Sequence, residues 1–162
     1  MCVSVASSFQ VRRAPFERKP NANRELLAVY DAGDFQKFLA HAKVLCDSQF
    51  DIVTTTTALH RVARWWSGRT ELDGDPRASQ RTTLAADTLE VLILLSHRLA
   101  SHFRAVAASS LEGVPIEIEP RHLAVTAWSF ATLSRVRCLD LRSRDLGGLF
   151  DPIADAAIPR VG

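Results

Sequence analysis

The sequence predicts an all-α protein, a short α-solenoid of stacked helix pairs, on three observations. Apolar residues recur at three-and-four spacing through most of the chain, the signature of amphipathic helices. Two-residue alternation occurs in one place, where Val114, Ile116 and Ile118 alternate with Glu117 and Glu119. With no second strand to pair with, that stretch reads as an extended connector. The third observation is internal similarity. The windows "TALHRVARW" (57–65) and "VTAWSFATL" (125–133) align at a spacing of 68 residues, Leu59 with Ala127, His60 with Trp128, Val62 with Phe130 and Ala63 with Ala131. Helix pairs that cannot bury their own apolar faces stack on their neighbours, which is the unit of a solenoid.

Residues 1–23 read as a tail and 24–162 as the helical domain. The first 16 residues hold no acid, carry Ser4, Ser7, Ser8 and the pair Arg12-Arg13, and so fit either an organellar transit peptide or a disordered segment. Leu26, Leu27 and Tyr30 then mark a short helix. Gly33 breaks it and Asp34 caps a longer one, whose apolar stripe is Phe35, Phe38, Leu39, Ala42, Leu45 and Cys46. The next element, "DIVTTTTALHRVARWW" (51–66), begins with β-branched residues that would suit a strand. Period overrides propensity here, because Ile52, Thr56, Leu59, Val62, Ala63 and Trp66 form one helical stripe with Asp51 at the N-cap.

Residues 67–81, polar and rich in Gly, Pro and charge, read as an exposed loop. From Thr83 to about Ala107 the stripe of Leu84, Val91, Leu92, Leu95, Leu99 and Phe103 predicts a buried central helix. Pro120 fits the first turn of another helix, with Leu123, Ala124, Ala127, Phe130 and Ala131 on one face. A last helix is expected from Phe150 or Pro152 to about Ile158, ended by Pro159. Leu59, Val62, Ala63, Ala127, Phe130 and Ala131 are the side chains expected to be buried between units, the alanines permitting close approach.

Composition bounds the function. At 162 residues with 47% hydrophobic content the chain is one domain with material for a real core. A net charge of +2 is too small to announce a nucleic-acid partner by itself. Cys2, Cys46 and Cys138 are scattered without metal-ligand spacing, so reduced thiols inside a cell are expected. The run "LEVLILLSHRLA" is interrupted by Glu90 and His97 and is too short to span a bilayer, so no membrane association is expected. No phosphate loop, dinucleotide fingerprint or nucleophile elbow occurs, and His97 and His102 are five apart without the glutamate of a zinc helix. Glu117 and Glu119 read as solvated charge rather than an acid/base pair. Neither an enzyme nor a bound cofactor or metal is expected.

One feature has a physical reason to bind. Thr54, Thr57, Arg61 and Arg64 lie opposite the apolar stripe of 51–66, and Lys37, His41 and Lys43 lie on the preceding helix. Two neighbouring helices would then offer a basic groove to phosphates, with Arg61, Arg64, Lys37 and Lys43 as cations and Thr54 and Thr57 as hydroxyl donors. The second window has neutral Ser129 and Thr132 at the places of Arg61 and Arg64, so the stripe weakens along the array. Trp65 and Trp128, on apolar helix faces, read as core more readily than as base platforms.

The windows "FDIVTTTTALHRVARW" and "PRHLAVTAWSFATL" resemble the repeat helices of the octotricopeptide repeat family, and "LGGLFDPIADAAIPRV" is similar to that family's second helix. The resemblance covers roughly residues 34–161 and is most specific at Ala58-Leu59-His60-Arg61 and Thr126-Ala127-Trp128. It implies an array that binds single-stranded RNA in a mitochondrion or chloroplast and acts in RNA processing, stability or translation. About two helix pairs fit in the chain, without the RAP domain that many relatives carry. The alternatives are a scaffold for protein partners, such as a subunit of a ribonucleoprotein complex, or a fragment of a longer array.

Overall fold

The computed structural model describes residues 21–46, 50–68, 78–111, 118–136, 139 and 141, with the side chains at 78–81, 107 and 109–111 left aside. Among these residues the chain is all-helical, with no strand: α1 (Ala22–Asp31), α2 (Phe35–Cys46), α3 (Ile52–Ser67), α4 (Ala78–Leu111) and α5 (Pro120–Leu133). The expected last helix at 150–158, the tail up to residue 20, most of the connector around 114–118 and the loop residues 69–77 lie outside the described residues.

Caps define the element starts. The Asn21 side chain accepts from the N–H groups of Asn23 and Arg24, so α1 begins slightly before the expected boundary at residue 24. Gly33 adopts φ +81°, a conformation costly for any residue with a Cβ, and turns the chain between α1 and α2. Asp34 Oδ1 then accepts from the Lys37 N–H at 2.9 Å. Asp51 Oδ1 accepts from the Thr54 N–H at 2.7 Å, which fixes the strand-like threonine run as the first turn of a helix. Pro120 occupies the first turn of α5, as expected. α4 begins at Ala78, five residues before the expected Thr83, so the end of the 67–81 loop is helical instead. Ser79, Gln80 and Arg81 lack the Gly and Pro that mark the loop before them, so the sequence there sets no barrier to helix.

α3 is the hub. It packs along α5 and α4 and more lightly on α1, while α2 packs on α4 and α1. The core is made by Leu26 of α1, Phe38, Leu39 and Ala42 of α2, Ala58, Leu59, Val62 and Ala63 of α3, and Leu92, Leu95, Leu99 and Phe103 of α4. Trp65 stacks on Phe35 with centroids 4.0 Å apart and planes 8° from parallel. The buried indole N–H of Trp66 donates to Thr88 Oγ1 of α4 at 3.3 Å. Arg98 of α4 donates through Nε to the Phe50 carbonyl at 3.0 Å, tying the long helix to the start of α3.

The expected stripe on α5 is corrected. Leu59, Val62, Ala63 and Phe130 are buried, but Ala127 and Ala131 are exposed, as is Ala124, and the face that packs inward carries His122, Thr126, Ser129, Phe130 and Leu133. The polar members of that face conceal their hydroxyls inside the helix: Thr126 donates to the His122 carbonyl and Ser129 to the Val125 carbonyl, each at 2.7 Å. A hydroxyl satisfied in this way leaves only its carbon atoms to be packed.

Candidate nucleic-acid interface

On α3, Val53, Thr56, Thr57, His60, Arg61 and Arg64 recur at offsets of three and four and therefore share one edge of the helix. Across from them, Arg121, His122 and Val125 come from the first turns of α5, and the two sets enclose a groove of about 380 Å³. From residue 53 to residue 64 the α3 edge runs roughly 16 Å at helical rise.

Arg61 is held in place by α1. Its guanidinium carbon lies 5.0 Å from the centroid of the Tyr30 ring, a cation–π contact, and Tyr30 is itself braced edge-on by Phe38 at 5.3 Å. Arg64, one turn on, is exposed. Among the described residues neither Arg61 nor Arg64 has a carboxylate partner. Arg121 differs: its Nε lies 2.6 Å from Glu119 Oε2 and its Nη2 donates to Glu119 Oε1 at 3.1 Å.

The groove also gathers unsatisfied polar atoms. Six buried side-chain N or O atoms lack a hydrogen-bond partner among the described residues, and three of them, His60 Nδ1, Arg61 Nε and His122 Nδ1, belong to groove residues. His122 is only 6% exposed. All three atoms are enclosed by protein, at a cost of about 1–3 kcal/mol each. Burial, then the charges of Arg61 and Arg64, hold the His60 imidazole below its ordinary value of 6.5. It is therefore neutral at pH 7 and adds no charge to that of Arg61 and Arg64 beside it.

Of the residues singled out in the sequence, Arg61, Arg64 and Thr57 meet in this groove. Thr54 does not: it is 3% exposed, packed into the interior instead of standing on the polar face. Lys43 is engaged elsewhere, with Nζ 2.5 Å from Glu90 of α4, and Lys37 is exposed on α2 without lining the groove. The basic surface expected between the second and third helices therefore lies between α3 and α5. The reason is geometric, since α2 turns its apolar stripe to α1 and α4 and carries Lys43 toward Glu90. His60, Arg121 and His122 escaped the sequence reading. The first extends the 57, 61, 64 edge by helical spacing, and that signal was available; the other two are brought in from sixty residues away by the docking of α5.

Comparison with protein-family models, with curated proteins and with solved structures found no match to this chain. The chemistry of the groove stands on its own residues. Guanidinium forks beside the neutral His60 imidazole and the Thr57 hydroxyl suit a ligand with many acceptor oxygens, phosphate above all. A larger groove of about 740 Å³ lies where the α1–α2 turn meets Trp65, Thr83 and Leu84, but its charged residue is the helix-capping Asp34, which repels anions. No helix of the described residues is long and apolar enough to cross a membrane, and none of their His, Cys, Asp and Glu side chains cluster in threes to hold a metal ion.

Proposed function

We propose that this chain binds single-stranded RNA through the α3–α5 groove, as a short helical-repeat protein of the octotricopeptide type acting in organellar RNA processing, stability or translation. The observation that carries the reading is the convergence of Arg61, Arg64 and Arg121 on one groove, with no carboxylate on Arg61 or Arg64 among the described residues. Phosphates supply the negative charge that Arg61 and Arg64 lack. The packing supports the repeat element of the proposal: α1, α3 and α5 contact in succession, as do α2 and α4, which is how helix pairs stack into two layers. With one groove and few cations, recognition is weak and rests on a few nucleotides.

A second reading is favoured by a specific observation. The outer side of α5 presents Ala124, Ala127, Trp128 and Ala131 to solvent, small apolar residues suited to the approach of another helix. On that reading the chain is a scaffold or a subunit of a ribonucleoprotein complex. Salt separates the two: phosphate contacts weaken steeply with ionic strength, whereas an apolar helix groove is nearly indifferent to it. A mobility shift with a random single-stranded RNA pool at about 50 and 200 mM salt tests the proposal. Binding that falls steeply with salt and is lost in the double variant Arg61→Glu/Arg64→Glu supports it. Binding untouched by that double variant, or no binding at low salt, rejects the groove as an RNA site.

A further inference from the structure

The three tryptophans have different surroundings. Trp66 is buried and hydrogen-bonded to Thr88, and Trp65 is stacked on Phe35. Trp128 stands 45% exposed on α5, one of three large hydrophobic side chains so placed among the described residues, with Val44 and Val53. A single exposed apolar side chain is ordinary. What distinguishes Trp128 is its neighbour: its ring centroid lies 5.0 Å from that of His60, with the planes tilted by 46°, and His60 lines the cationic groove next to Arg61.

We propose that Trp128 is a nucleobase platform, on which one unpaired base stacks while the adjoining phosphate lies in the groove between Arg61, Arg64 and the His60 and His122 imidazoles. This rests on the RNA reading and gives it a site for the base. An indole in contact with the groove wall supplies a π-face within one nucleotide of the phosphate site, and every base has a π-face to offer. The base must be unpaired, because a base inside a duplex already has both faces covered by its neighbours. Charge decides the occupant. Arg61 and Arg64 have no carboxylate among the described residues, so an aromatic ring that carries its own phosphate matches both halves of the site. An apolar peptide helix would cover Trp128 and leave those cations without a counter-charge. Base identity is read weakly, since stacking strength and not hydrogen bonding does the selecting.

The test compares an adenosine octamer with an abasic ribose-phosphate octamer of equal charge, titrated at low salt against the intact chain and against Trp128→Ala and Trp128→Phe. The intact chain should bind the adenosine oligomer roughly five- to a hundredfold more tightly, the range for one stacked base. In Trp128→Ala that preference should fall to about one, with abasic binding unchanged, and Trp128→Phe should restore most of it. An unchanged melting temperature in both variants shows that the loss is not a folding defect. Equal, salt-dependent binding of the two oligomers by the intact chain overturns the platform and leaves the phosphate groove standing. A preference that survives Trp128→Ala overturns it as well. Absence of binding to either oligomer overturns the platform together with the RNA reading.

Discussion

The guanidinium of Arg61 on α3 lies over the Tyr30 ring of α1, 5.0 Å from its centroid, while the same side chain lines the groove shared with α5. One residue thus links three helices. An aromatic face under a guanidinium fixes its direction without using up its hydrogen-bond donors, so Tyr30 acts on the groove by positioning Arg61. Tyr30→Phe keeps the ring and should leave RNA affinity nearly unchanged. Tyr30→Leu should weaken affinity severalfold with little change in the salt slope, because the cation remains but is less well aimed. Filter binding across a salt series reads both quantities, and a loss in Tyr30→Phe as large as in Tyr30→Leu would show that the hydroxyl matters instead.

The cations are not equivalent, and their partners say which ones count. Arg64→Gln should lower the magnitude of the salt slope by about 0.7 for a single strand. Lys43→Gln should leave it unchanged, since Lys43 faces Glu90 away from the groove. A drop of equal size in Lys43→Gln would return the binding surface to α2.

On the proposed RNA reading, Glu119 would compete with phosphate for Arg121. The pair is exposed, and such pairs contribute only about 0.2–1 kcal/mol to stability. Its N-cap position brings no side-chain cap hydrogen bond to α5. Glu119→Gln should therefore spare the melting temperature while strengthening RNA binding and steepening its salt dependence. Weaker binding in this variant would place Glu119 among the groups that contact the ligand.

How far these features were legible in the sequence depends on where each polar group is satisfied. The helix at 52–67 could be read in spite of its threonines because apolar spacing persisted through them, and the structure adds the reason they fit: Thr55 Oγ1 donates to the Asp51 carbonyl at 2.6 Å and Thr56 Oγ1 to the Ile52 carbonyl at 2.8 Å. The same device misled the reading of α5. Thr126 and Ser129 behave as small apolar residues once their hydroxyls bond one turn back, so a stripe traced through alanines chose the wrong side. Thr54 was misplaced for a related cause, being a polar residue in a buried position. The α3 side of the groove, with Thr57, Arg61 and Arg64, follows from spacing within one helix. The other side depends on which face of α3 receives α5, and no local pattern carries that information.

Substitutions on the two faces of α5 should therefore separate cleanly. Phe130→Ala removes a buried ring and should cost about 3–5 kcal/mol. Ala131→Ser and Ala127→Ser, on the exposed side, should stay within about 0.5 kcal/mol. Urea unfolding measures all three, and a large cost at Ala127 would mean that its face is covered in solution.

Two histidines make stability depend on pH, and the sign follows from their surroundings. Burial, Arg61 and Arg64 hold the His60 imidazole below its ordinary value of 6.5. Burial and Arg98 do the same for His102, against the opposing pull of a hydrogen bond with the Phe50 backbone and of Asp51. Well above 6.5 both are neutral whether the chain is folded or not, and they contribute no pH dependence. As pH falls through 6.5 the unfolded chain takes up protons that the folded chain still refuses, so folding loses stability, and the loss continues until the folded imidazoles also protonate. Urea midpoints should accordingly fall between pH 7.5 and 5.5, with part of the fall removed by His60→Gln and part by His102→Gln. RNA should counter the effect at His60 and not at His102, which does not line the groove: a phosphate beside the His60 imidazole offsets the arginine charges and favours protonation, so affinity should rise as pH drops through the same window. That rise should shrink in His60→Gln and persist in full in His102→Gln. If it persists in full in both, the proton is taken up elsewhere and His60 does not face the bound phosphate.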